Sequence, residues 1–90
     1  MVMPKTPQTP HGVSTARFGR YIMKWGHGAS DAIARKATIT RQELEHAGVN
    51  CEILFQWREF YLAESERIPR NPSAAARAEL MAHCLELLNC

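Results

Sequence analysis

Two stretches in the second half of the chain repeat apolar residues at helical spacing. In the first, Ile53, Leu54, Trp57, Phe60 and Tyr61 converge on one side of a helical wheel. In the second, Ala74, Met81, Cys84, Leu85 and Leu88 do the same. Asn50 can cap the first of these helices, and Pro69 ends it near Arg67. Asn71-Pro72 restarts the chain, with Asn as cap and Pro at the first helical position. A short loop therefore joins two long helices, which predicts antiparallel neighbours over about 50–67 and 72–88.

Upstream the pattern is shorter but of the same kind. Phe18, Tyr21, Ile22 and Trp25 fall at i, i+3, i+4 and i+7, behind a Ser14 or Thr15 cap. Gly26 stops that helix, and Gly26-His27-Gly28 reads as a flexible turn. Ser30 caps a short second helix with Asp31 in its first turn, where the helix dipole favours an acid. In the third helix Thr40 and Glu43 have capping-box spacing, Ile39 and Leu44 sit at the two positions of a hydrophobic staple, and Gly48 is the C-terminal stop. No segment alternates with period two. The reading is all-α: a compact, bundle-like or orthogonal set of four to five helices.

Before Ser14 the periodicity is lost. Pro4, Pro7 and Pro10 recur every three residues among Thr, Gln and Gly, which favours an extended polyproline-like lead. Residues 1–13 are read as a flexible, disordered tail, a linker or a PxxP ligand, and 14–90 as a single helical domain. Ninety residues suffice for one modest core. No run reaches the roughly 20 apolar residues of a membrane span, and the N-terminus lacks the apolar stretch of a secretory signal. The expected location is cytoplasmic, or delivered by a secretion system that needs no cleaved signal. Cys51, Cys84 and Cys90 form no CxxC pair, and an odd, sparse set fits a reducing compartment. Cys51 and Cys84 read as small core residues and Cys90 as a free terminal thiol.

Charge changes the picture more than composition does. Residues 1–41 hold seven basic side chains and one acid, net +6; residues 42–90 hold four basic and eight acidic, net −4. Such a split marks either a nucleic-acid surface, with Arg17, Arg20 and Lys24 as binding residues, or two halves that attract each other within the fold. The apolar stripes add a second point. Glu64 falls within the stripe of the fourth helix and Arg77 within that of the fifth. Burial of either charge alone is costly, so the two are expected to meet, as a register-fixing ion pair or as a site. His27, between two glycines, is a loop histidine placed for acid–base work or for plain solvent exposure. His27, Glu64 and Arg77 are thus the catalytic candidates. No histidine has ligand spacing with the cysteines, no nucleotide-binding or nucleophile motif occurs, and neither metal nor cofactor is expected.

Two surfaces suggest partners. Residues 40–57 have helix-turn-helix spacing, although the second helix would present Glu52, Phe55, Gln56 and Glu59 to DNA. Phe55 and Leu62, seven residues apart on the far side of the fourth helix, could dock a partner helix or a second copy in a homodimer, or pack on the first helix.

The string Phe18-Gly19, Ile22, Trp25-Gly26-x-Gly28, followed by Thr40-x-x-Glu43-Leu44-x-x-Ala47-Gly48-Val49, Trp57-x-x-Phe60-Tyr61 and Asn71-Pro72-Ser73-Ala74-Ala75-x-Arg77-x-Glu79-Leu80-Met81, is informative beyond its wheels. It resembles a small helical domain of unknown function found at the C-termini of bacterial Rhs-, PAAR- or VgrG-like polymorphic toxins. The resemblance spans about residues 18–88. It implies an effector module delivered to a competitor cell and countered by an immunity protein, and it carries no catalytic residue over. The leading expectation is a toxin- or effector-associated module acting on nucleic acid inside a target cell. The alternatives are a non-enzymatic interaction module and a helix-turn-helix DNA binder.

Overall fold

The computed structural model describes residues 6–90. Within them the fold is all-α, with no strand. The helices are α1 (Thr15–Arg17), α2 (Ala29–Lys36), α3 (Arg41–His46), α4 (Cys51–Arg67) and α5 (Pro72–Leu87), and α1 runs directly into a π-helical segment, Phe18–Met23. The Cα radius of gyration, 12.3 Å, matches the roughly 12 Å expected of one packed unit of this length.

The caps follow the sequence closely. Asn50 Oδ1 accepts from the Ile53 N–H at 2.9 Å, and Asn71 Oδ1 from the Ser73 N–H at 3.0 Å. Thr40 Oγ1 accepts from the Glu43 N–H at 3.2 Å, and Ile39 and Leu44 are both buried beside it. The second helix departs from expectation. It begins at Ala29 with Gly28, not Ser30, in the capping position, and no side chain caps it.

α5 is the central element, packed against both α4 and α2. That double burial explains why Ala76, Ala78 and Leu80 are inside along with the expected Ala74, Met81 and Cys84. Small alanines let two neighbours approach one helix. An aromatic cluster forms the rest of the core. Trp57 stacks on Phe18 and Tyr61, at centroid distances of 5.3 and 5.8 Å, and meets Trp25 and Phe60 edge-on.

The first helix keeps Phe18, Ile22 and Trp25 in or against the core but loses Tyr21 from its stripe. The wider turn of a π-helix, with its i→i+5 hydrogen bonds, brings Phe18 and Met23, both fully buried, toward one face, whereas α-helical spacing selects Tyr21. Tyr21 is instead 62% exposed. Lys24 then takes a left-handed conformation, φ +52°, which swings Trp25 back over the core. Trp25 packs so close to Gly19 that a Cβ there would lie 2.5 Å from its indole nitrogen.

The described part of the lead, residues 6–13, carries no regular element and is seated on the bundle. The Trp57 indole N–H donates to the Gln8 carbonyl at 2.9 Å, the Gln8 N–H donates to Gln56 Oε1 at 3.2 Å, and Pro10 is buried. These bonds cross the division expected at residue 14. The part of the tail in residues 1–5 lies outside the described residues.

The cysteines correct the sequence reading. Cys51 and Cys90 form a disulfide, and Cys84 alone is free and buried. Cys51 is exposed at the start of α4 rather than in the core. The antiparallel helices return the end of α5 to that point. There Asn89, left-handed at φ +57°, closes a Schellman turn in which the Cys90 N–H donates to the Leu85 carbonyl at 3.0 Å. A reducing compartment no longer follows from the cysteine pattern.

A cationic, aromatic-walled cleft as candidate functional site

The π-helical segment and the turn after it open one side of a cleft of about 770 Å³. Arg20 and Lys24 come from that segment and its cap, His27 from the glycine turn, and Asp31 from the first turn of α2. Trp25, Trp57, Phe60 and Tyr61 supply the apolar wall. π-Helical turns and left-handed non-glycine residues cost conformational energy and cluster at functional sites. Here they leave Arg20 and Lys24 at the same opening as the Trp25 ring.

Arg77 holds that wall from behind. Its guanidinium lies against both the Trp25 and Tyr61 rings, 5.2 and 5.4 Å from their centroids, where the two rings meet edge-on. Nη2 donates to the Gly26 carbonyl at 2.8 Å and Nη1 to the Tyr61 hydroxyl at 3.4 Å. One cation therefore fixes the turn that carries His27 and orients the two rings. Burial raises the Tyr61 hydroxyl above its ordinary pKa, with the Arg77 charge and hydrogen bond opposing, so the phenol is neutral at physiological pH.

Glu64 is not part of this arrangement, contrary to the expected pairing with Arg77. It pairs instead with Arg67, Oε2 to Nη2 at 2.8 Å, which holds its carboxyl below the usual range. The physical reason is register. Placing Arg77 beside Tyr61 in an antiparallel pair leaves Glu64 level with the first turn of α5, where its own helix offers a closer cation. The wheel gave the correct side of the helix but not the level along it.

The candidates therefore divide. Arg20, Lys24 and His27 line one cleft and Arg77 backs it. Arg17 lies over the Tyr21 ring at 5.9 Å, one helical turn away from Arg20. Phe55 and Leu62 lie on the outer face of α4, 49% and 38% exposed. Helices α3 and α4 have helix-turn-helix connectivity, but Glu52 and Glu59 stand on the face α4 exposes, where phosphate would be repelled.

Sequence reasoning missed Arg35. It is 7% exposed, donates to Glu43 Oε2 at 2.6 Å, to the Ile22 carbonyl at 3.1 Å and to Thr38 Oγ1 at 3.1 Å, and so ties α2 to α3 and to the π-helical segment. Its hydrogen bond is the main cause of the lowered Glu43 pKa. The available signal was Glu43 eight residues on, at the start of α3. Nearby, burial pushes the Cys84 thiol up to about 12, which leaves it an inert core group.

A family model described as "Domain of unknown function (DUF4951)" matches residues 1–88, including the lead. A protein from Acinetobacter baumannii, solved by NMR, has a similar fold: TM-score 0.81 and 31% identity over 97% of this chain and 84% of that one. No curated protein matches.

Proposed function

We propose that this chain, which belongs to the DUF4951 family of domains of unknown function, is a nucleic-acid-binding module that takes a single strand into the cationic cleft. One observation carries the reading: Arg20 and Lys24 share an opening with an aromatic wall. Single-strand sites combine those two features, since cations track the phosphates and ring faces accept unpaired bases of any identity. A duplex keeps its bases stacked and gains little from the wall. Phe60, half-buried at the rim, supplies the ring for a base, and Lys24 and Arg20 supply charge for the flanking phosphates.

The setting in this proposal is that of a delivered, toxin-associated effector countered by an immunity partner. The Cys51–Cys90 disulfide supports the delivery part of it, passage through an oxidising compartment where such bonds form and persist.

Fluorescence anisotropy with labelled oligothymidine, alone and as a duplex with oligoadenine, tests the binding. The single strand binds more tightly than the duplex, and affinity falls as salt rises. The Arg20→Gln/Lys24→Gln double variant weakens binding about tenfold or more and flattens the log–log salt slope by about 1.4, at roughly 0.7 per lost phosphate contact. Equal affinity of the double variant, or no preference for the single strand, would sink the proposal.

A further inference from the structure

The outer face of α4 carries a second pattern, separate from the cleft ligand. Glu52, Glu59 and Glu66 recur every seven residues, and Phe55 and Leu62 recur every seven residues between them. All five are exposed. They lie along one line of a 17-residue helix, and from residue 52 to 66 that line is about 21 Å long at 1.5 Å per residue. The lead bounds one side of it: Thr6, Pro7 and Gln8 stand opposite Glu52, Phe55 and Glu59 across a groove of about 550 Å³.

We propose that this face of α4, with the groove beside its N-terminal half, docks a basic amphipathic helix of a partner protein. The shape of the face favours a helical partner, since a straight exposed stripe of about 21 Å is one that a second helix can follow with its own apolar residues. The charge specifies its sign. Three carboxylates flank the two apolar groups. Of these, Glu52 accepts a hydrogen bond from Gln56 Nε2 at 2.9 Å, and Glu59 meets Arg58 at 3.8 Å. Neither interaction is a close ion pair, so lysines or arginines on the partner gain full complementarity there. Phe55 and Leu62 are the groups a partner helix would desolvate.

A synthetic three-heptad helix with leucine at the seam and lysine beside it is the probe. The control is the same peptide with glutamate for lysine. Calorimetry should give at least about tenfold tighter binding of the lysine peptide, and Phe55→Ser/Leu62→Ser should weaken it about tenfold, near 1.4 kcal/mol. Glu79→Gln/Glu86→Gln, which removes two exposed acids of α5, should leave it unchanged. Both apolar positions are exposed, so the double serine variant keeps the fold, and circular dichroism verifies this. Equal affinity for the two peptides, or binding indifferent to the serine pair, overturns the proposal. So does a chain that dimerises without peptide and becomes monomeric on the serine substitutions, because a second copy then owns the face.

Discussion

Replacing Trp57 with alanine is expected to cost about 3–5 kcal/mol of stability, the range for deleting a buried large aromatic. Trp57 is 1% exposed and touches every other ring of the core cluster: Phe18, Trp25, Phe60 and Tyr61. Its indole N–H also anchors the lead through the Gln8 carbonyl. The substitution therefore removes packing on α4, the support beneath the cleft wall and the seat of residues 6–10 together. Domains of this size have about 5–15 kcal/mol in total, so the variant is left marginal at physiological temperature. Urea denaturation followed by circular dichroism measures the loss. A cost below about 1 kcal/mol would show that the aromatic cluster is not the centre of the fold.

Breaking the disulfide is expected to cost about as much by a different route. The bridge joins residues 39 apart, and the chain-entropy model assigns about 4 kcal/mol to closing a loop of that length in the unfolded chain. Cys90→Ser should melt well below the oxidised protein. Added reductant should bring the oxidised protein down to the same level and leave the variant where it was. Thermal melts of the four samples decide the matter. Identical melting of oxidised protein and variant would mean that the bridge does not form or does not constrain the chain.

Much of the architecture was legible because local chemistry specified it. Asn50, Asn71-Pro72, Thr40 with Glu43, and Gly48 mark helix ends by satisfying backbone groups within a few residues, and each does so in the structure. What was not legible depends on distant parts of the chain. A π-helical turn at Phe18–Met23 is set by the need to bury Met23 and bring Trp25 onto Trp57, which no window of local periodicity contains. Cys51 and Cys90 meet only because α4 and α5 are antiparallel and Asn89 turns the chain back.

The candidate site shows the same division. Arg20, Lys24 and His27 were identified by residue type, and the local fold brings them to one opening. Arg77 was singled out for lying in an apolar stripe, but its partners are the Gly26 carbonyl and the Trp25 and Tyr61 rings, not Glu64. A wheel resolves angle around a helix and leaves the level along it free. The interhelical register that sets this level is a property of the packed pair.

The reading of the cleft rests on Arg20 and Lys24 sharing an opening with a wall that both indoles help to line, and each indole can be watched separately. A titration of the ¹⁵N-labelled protein with oligothymidine, followed through its two tryptophan indole N–H signals, tests this most directly. The Trp25 and Trp57 signals should both shift progressively, the first from a ring on the cleft wall beside Lys24, the second through its edge-on contact with Phe60. Two signals that remain still through saturating strand would contradict the account.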